Sequence, residues 1–158
     1  EAGATALHYA AANGEAGIAA ALLDAGADTQ RASANGATPL HLAAANGKDN
    51  LVALLIARGA SVRTRDNAGN MPLAEAARRG RAVSARLLLA AGAPIDASND
   101  AGETALHLSA RAGHLNVVRL LLHKGASFNP RDRAGATPLA VAQGSQVKAL
   151  LQEYGARP

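Results

Sequence analysis

The sequence predicts an all-α solenoid of stacked helix-turn-helix units linked by β-hairpin-like loops. A four-residue phrase recurs at one interval: TALH at Thr5–His8, TPLH at Thr38–His41, MPLA at Met71–Ala74, TALH at Thr104–His107 and TPLA at Thr137–Ala140, each copy 33 residues after the last. Glycines hold the same beat in three further tracks: Gly3, Gly36, Gly69, Gly102 and Gly135; Gly14, Gly47, Gly80 and Gly113; Gly26, Gly59, Gly92 and Gly125. Apolar residues between the glycines fall into two short helical runs per unit. Self-similarity at this period marks small units that bury their apolar faces only by stacking on their neighbours.

The unit Ser33–Arg65 shows how each element arises. Thr38 followed by Pro39 is a helix start: a threonine hydroxyl satisfies a free backbone N–H, and proline suits the first helical position. Leu40, Leu42, Ala43 and Ala44 form a short first helix, and Asn46-Gly47 stops it. A second helix is predicted over roughly Asp49–Arg58, with Leu51, Val52, Leu54, Leu55 and Ile56 on its apolar face and Gly59 after it. Ala60–Gly69 has no helical period, and its Asp66-Asn67-Ala68-Gly69 is turn chemistry, so an extended loop or hairpin follows.

This order, with TPLHLAAANG at Thr38–Gly47 and GHLNVVRLLLHKGA at Gly113–Ala126, resembles the ankyrin-repeat family over essentially the whole chain. A single domain, 1–158, of five repeats is expected: 1–32, 33–65, 66–98, 99–131 and a shortened 132–158. The first unit carries Leu7, Tyr9, Ile18, Leu22 and Leu23 without an obviously polar outer side, where a terminal repeat needs one. This points to the rest of a longer parent chain against the N-terminal face. Gln143, Ser145, Gln146, Lys148, Gln152 and Glu153 make the last unit polar, and it reads as a C-terminal cap. The third unit departs most. Met71 replaces the capping threonine, Ala74 the histidine, and Ser84-Ala85 the valine pair Val117-Val118, so it is expected to be the least stable internal repeat.

Composition narrows the function classes. There is no cysteine, which excludes disulfides and thiolate chemistry. Only Tyr9, Phe128 and Tyr154 are aromatic, so the core is built from Leu, Val, Ile and Ala in thin layers, with Tyr9 at a core register and Phe128 packed between repeats. No apolar run is long enough for a membrane span, and no membrane insertion is expected. The chain has no initiator methionine, and processing or excision is expected.

The candidate chemical residues belong to the beat itself. His8, His41 and His107 recur at one position without a recurring nucleophile or carboxylate partner, and no two histidines have the i, i+4 spacing of a helical zinc pair. No glycine lies in a phosphate-binding motif. No catalytic residue, cofactor or metal is expected. The family resemblance implies that the histidine ties its helix start to the neighbouring loop. It also implies that partners bind hairpin tips and first-helix ends, and that the setting is intracellular, cytoplasmic or nuclear.

Mapped onto this chain, those partner-binding positions are Arg65, Asn67, Asn70, Arg78, Arg79, Asp100, Glu103, Arg111, Arg131 and Arg133, with Ala45, Asn46 and Ser98 beside them. Six arginines against two acids make an arginine-rich concave face. The net charge is +4. The expected function is a non-enzymatic protein–protein interaction scaffold binding an acidic or phosphorylated protein segment, because guanidinium forks recognise carboxylates and phosphates. Alternatives are a regulatory or targeting segment of a larger enzyme or channel, and an engineered or reconstructed binder. Nucleic-acid binding is not expected: no stacking platform is present, and Asp100 and Glu103 interrupt the strip.

Overall fold

A computed structural model describes residues 3–157. It contains five helix pairs in chain order: α1 (Ala6–Asn13) with α2 (Ala16–Asp24), α3 (Pro39–Ala45) with α4 (Asp49–Ala57), α5 (Pro72–Arg78) with α6 (Ala82–Ala90), α7 (Ala105–Arg111) with α8 (Leu115–His123), and α9 (Pro138–Val141) with α10 (Ser145–Glu153). First helices pack on first helices along the stack and second helices on second helices. Two layers result, with the hairpin loops projecting along one edge.

Each first helix buries a leucine (Leu7, Leu40, Leu73, Leu106 and Leu139) among small side chains. Ala10, Ala11, Ala43, Ala44, Ala76, Ala77 and Ala110 are buried. Alanine has high helix propensity and no bulk, so seven-residue helices too short to stand alone can approach closely. The second helices supply volume through Leu51, Leu55, Leu88, Val117, Val118 and Leu121, all buried. The shortened last unit takes its deletion from α9, which is four residues long. The polar residues Gln146, Lys148, Gln152 and Glu153 of α10 face solvent, as a terminal cap requires.

The recurring histidines form two ties each. His8, His41 and His107 place Nε2 3.0 Å from the carbonyl oxygens of Ala37, Asn70 and Ala136, one repeat ahead. A carbonyl only accepts, so Nε2 carries the proton and Nδ1 is left as an acceptor. Nδ1 then receives the backbone N–H of Thr5, Thr38 or Thr104 at 3.1, 3.1 and 3.2 Å. Each histidine therefore caps its own helix and holds the next hairpin, as the resemblance implied. Burial lowers the pKa of His41, the desolvation outweighing its hydrogen bond to Asn70 and the nearby Asp66 and Glu75 carboxylates.

Successive hairpin tips are laddered through the backbone. Asn67 N–H donates to the Asn35 carbonyl at 3.0 Å, Asp100 to Ala68 at 3.0 Å and Arg133 to Ala101 at 2.9 Å. Within each tip an Asx side chain shapes the turn: Asp66, Asn99 and Asp132 accept from the N–H groups two and four residues on. The loops are hairpin-like without strands; the one pairing among described residues is an isolated bridge between Ser98 and Thr104.

Glycine is needed twice over at Gly80. Its φ is 71°, and a Cβ there would sit 2.7 Å from Nδ1 of His114, which lies across it to reach the Arg78 carbonyl at 3.1 Å.

Candidate concave binding site

Hairpin tips and first-helix ends of repeats three and four border an open concave pocket of about 720 Å³. Asn67, Asn70, Asp100 and Glu103 line it from the hairpins, with Asn99, Ala68 and Ala101. Arg78 and Arg111 come from the ends of α5 and α7, with Leu108 and Ala112 alongside. Six of the ten sequence-expected residues thus converge on one cavity. Arg65, Arg79, Arg131 and Arg133 lie outside its lining. Arg65 and Arg131 instead brace hairpins: Arg65 donates to the carbonyls of Gly69 and Ser98 at 2.9 and 2.7 Å, and Arg131 to that of Gly135 at 2.7 Å.

The two pocket arginines are already paired. Nη2 of Arg78 reaches both carboxylate oxygens of Glu75, at 2.7 and 2.6 Å. Glu75 is buried while the Arg78 side chain is half-exposed. The Glu75 hydrogen bond raises the Arg78 pKa above its ordinary value, so the guanidinium is charged under all working conditions. Nη2 of Arg111 lies 2.6 Å from Glu103 and 3.7 Å from Asp132. Glu75 and Asp132 are not among the concave residues expected from the sequence, yet together with Glu103 they pair with the two pocket arginines. Glu75 has the register of Leu42 and Leu108, which masks it as a core position. Asp132 shapes a hairpin turn of the next repeat, as Asp66 does two repeats earlier.

A chain of polar contacts crosses the pocket. Asn99 Nδ2 donates to Asn70 Oδ1 at 3.0 Å and to Glu103 Oε2 at 3.2 Å, and Glu103 in turn holds Arg111. This side-chain link spans repeats three and four at the place where Ala74 supplies no histidine. A small cavity of about 10 Å³ lies beside Ala74 and Met71.

A second concavity, about 290 Å³, opens on the same side of repeats one and two and is lined by Ala4, His8, Tyr9, Ala12, Leu42 and Asn46. Tyr9 is not a core residue: it is 54% exposed. Its register points toward the concave side, where Leu42 is only half-buried and Leu108 is covered. The sequence signal for this subsite was an aromatic residue in a chain that has almost none.

A fold of helix pairs in constant register with a lined concave strip defines a helical-repeat scaffold. The chain matches the family described as Ankyrin repeats, in three copies, over residues 1–66, 50–132 and 73–158. It belongs to the ankyrin-repeat family. The matched stretches overlap and each is longer than one 33-residue unit, so three copies accommodate five helix pairs. A search of curated proteins returned no match. Ankyrin repeats generally mediate protein–protein interaction and are typically non-enzymatic. Among the described residues no helix is long and apolar enough to cross a membrane.

Proposed function

We propose that this ankyrin array holds an extended segment of another protein along its concave strip. An acidic or phosphorylated side chain of that segment engages Arg78 and Arg111, and an apolar one lies against Tyr9 and Leu42. The observation that carries this reading is the pair of half-exposed guanidiniums at the wall of one cavity, each anchored from behind by a less exposed carboxylate. A guanidinium has five N–H donors in a fixed fork. The contacts to Glu75 and Glu103 occupy Nη2, which orients the remaining donors for a second anion. The anchoring carboxylates also oppose that anion, so affinity is modest and falls with salt. Tyr9 suits the role of hot spot, since tyrosine and arginine dominate such contacts.

The test is affinity capture with mass spectrometry, comparing the unaltered chain with two variants. Arg78→Gln/Arg111→Gln removes the charges, and Ala112→Trp fills the pocket without touching the ion pairs. Partners lost from both variants, bound tightly at low salt and weakly at high salt, support the reading. Partners retained by both overturn it.

A further inference from the structure

Burial in the second helices reveals which way each side chain faces along the stack. Ile18, Leu51, Ser84, Val117 and Val147 share one register position, and Ala19, Val52, Ala85, Val118 and Lys148 share the next. In α4, α6 and α8, which have neighbours on both sides, both positions are buried. In α10, which has no pair after it, Val147 is buried and Lys148 is exposed. In α2, which has no pair before it, Ala19 is buried while Ile18 is 55% exposed. The first position therefore faces the preceding pair and the second faces the following one.

The two ends then differ in kind. At the C-terminal end the forward-facing positions carry Lys148 and Gln152, both exposed. At the N-terminal end the backward-facing position carries an isoleucine. Leu22 is only half-buried there, although its counterparts Leu55, Leu88, Leu121 and Leu151 are all buried. The Ala4 carbonyl occupies the register in which Ala37, Asn70 and Ala136 receive a histidine Nε2 from the repeat before. The α1–α2 face thus has both halves of an internal interface: an apolar knob and a carbonyl receptor.

We infer that this face is the docking surface for a further ankyrin-type helix pair stacked in the same register. Its first helix directs a donor at the Ala4 carbonyl, and its second helix sets a small apolar side chain against Ile18. Continuity with the four internal interfaces selects this occupant. A head-to-tail copy of the chain fits poorly, because it would bring Lys148 and Gln152 against Ile18 and strip water from an ammonium.

The experiment places a copy of residues 33–66 ahead of Glu1, which keeps the 33-residue spacing between glycines. The original and extended chains, each with and without Ile18→Lys, are compared by denaturant unfolding, sedimentation and hydrogen exchange. The inference expects a monomeric original chain whose midpoint Ile18→Lys leaves unshifted. It expects the extended chain to unfold in one transition at a higher midpoint, to exchange α2 amides more slowly, and to lose that gain with Ile18→Lys. A separate transition for the added unit, or Ile18→Lys without effect in the extended chain, would overturn it. So would an original chain that is dimeric and that Ile18→Lys dissociates, since the occupant would then be a second copy.

Discussion

Repeats three and four share a period, a backbone and a pocket, yet they are held together by different means. Repeat four uses the regular set. Thr104 and His107 cap α7, His107 reaches the Ala136 carbonyl, and Val117 and Val118 fill both sides of α8. Repeat three has Met71, Ala74, Ser84 and Ala85 at those positions. Its ties are polar and lateral: Glu75 to Arg78, Ser84 Oγ donating to Asp49 at 2.6 Å, and the Asn99 bridge from Asn70 to Glu103. The comparison teaches that one backbone template tolerates loss of its repeat-specific bonds when other side-chain ties link the same repeats. It also teaches that the loss falls beside the pocket, where Glu75 and Arg78 are the substitutes.

The largest predicted effect comes from giving repeat four the small pair of repeat three. Val117→Ser/Val118→Ala removes buried methyls from two interfaces and leaves a hydroxyl to satisfy, costing about 3 kcal/mol by denaturant unfolding. The converse change, Ser84→Val/Ala85→Val, breaks the Asp49 bond and overfills a packed site, so it brings no stabilisation. Stabilisation by the converse pair would break the comparison. Next, His107→Ala is expected to cost about 2 kcal/mol, since buried Thr104 loses the acceptor for its N–H and the link to repeat five goes. Restoring the set in repeat three with Met71→Thr/Ala74→His should add about 1 kcal/mol, through the cap and a bond to the Glu103 carbonyl.

Acid sharpens the comparison from another direction. The folded pKa of His41 is lowered by burial, so below the ordinary value near 6.5 the unfolded chain takes up the proton first. The His41 contribution is therefore complete above that pH and lost as pH falls toward the lowered folded value. Protonation would also point an Nδ1–H at the Thr38 N–H. The pH dependence of the unfolding midpoint should flatten over this range in His41→Ala. The smallest effect belongs to the Arg58–Asp24 pair at 2.8 Å, whose side chains are 38% and 69% exposed. Arg58→Ala should change stability by less than about 0.5 kcal/mol.

The features legible in the sequence are those that one backbone conformation demands in every unit. Glycine at Gly80, threonine and histidine at Thr104 and His107, and the polar ending of α10 are fixed by φ, by capping and by solvent. Tyr9 and Glu75 were not legible. They share a register with Leu42 and Leu108, and that position is core or concave surface depending on the height of its neighbours. The pairing of Arg111 was hidden for a related reason: Glu103 reaches it from the hairpin eight residues earlier, and Asp132 from the next repeat. An arginine-rich strip in the sequence is a mixed-charge network in the structure.

Native-state hydrogen exchange, read amide by amide over α5–α6 against α7–α8, tests most directly whether repeat three is the looser of the two. Amides of α5 and α6 should exchange through openings of lower free energy than those of α7 and α8, and Met71→Thr/Ala74→His should narrow the gap. Equal protection of the two helix pairs in the unaltered chain would contradict the account.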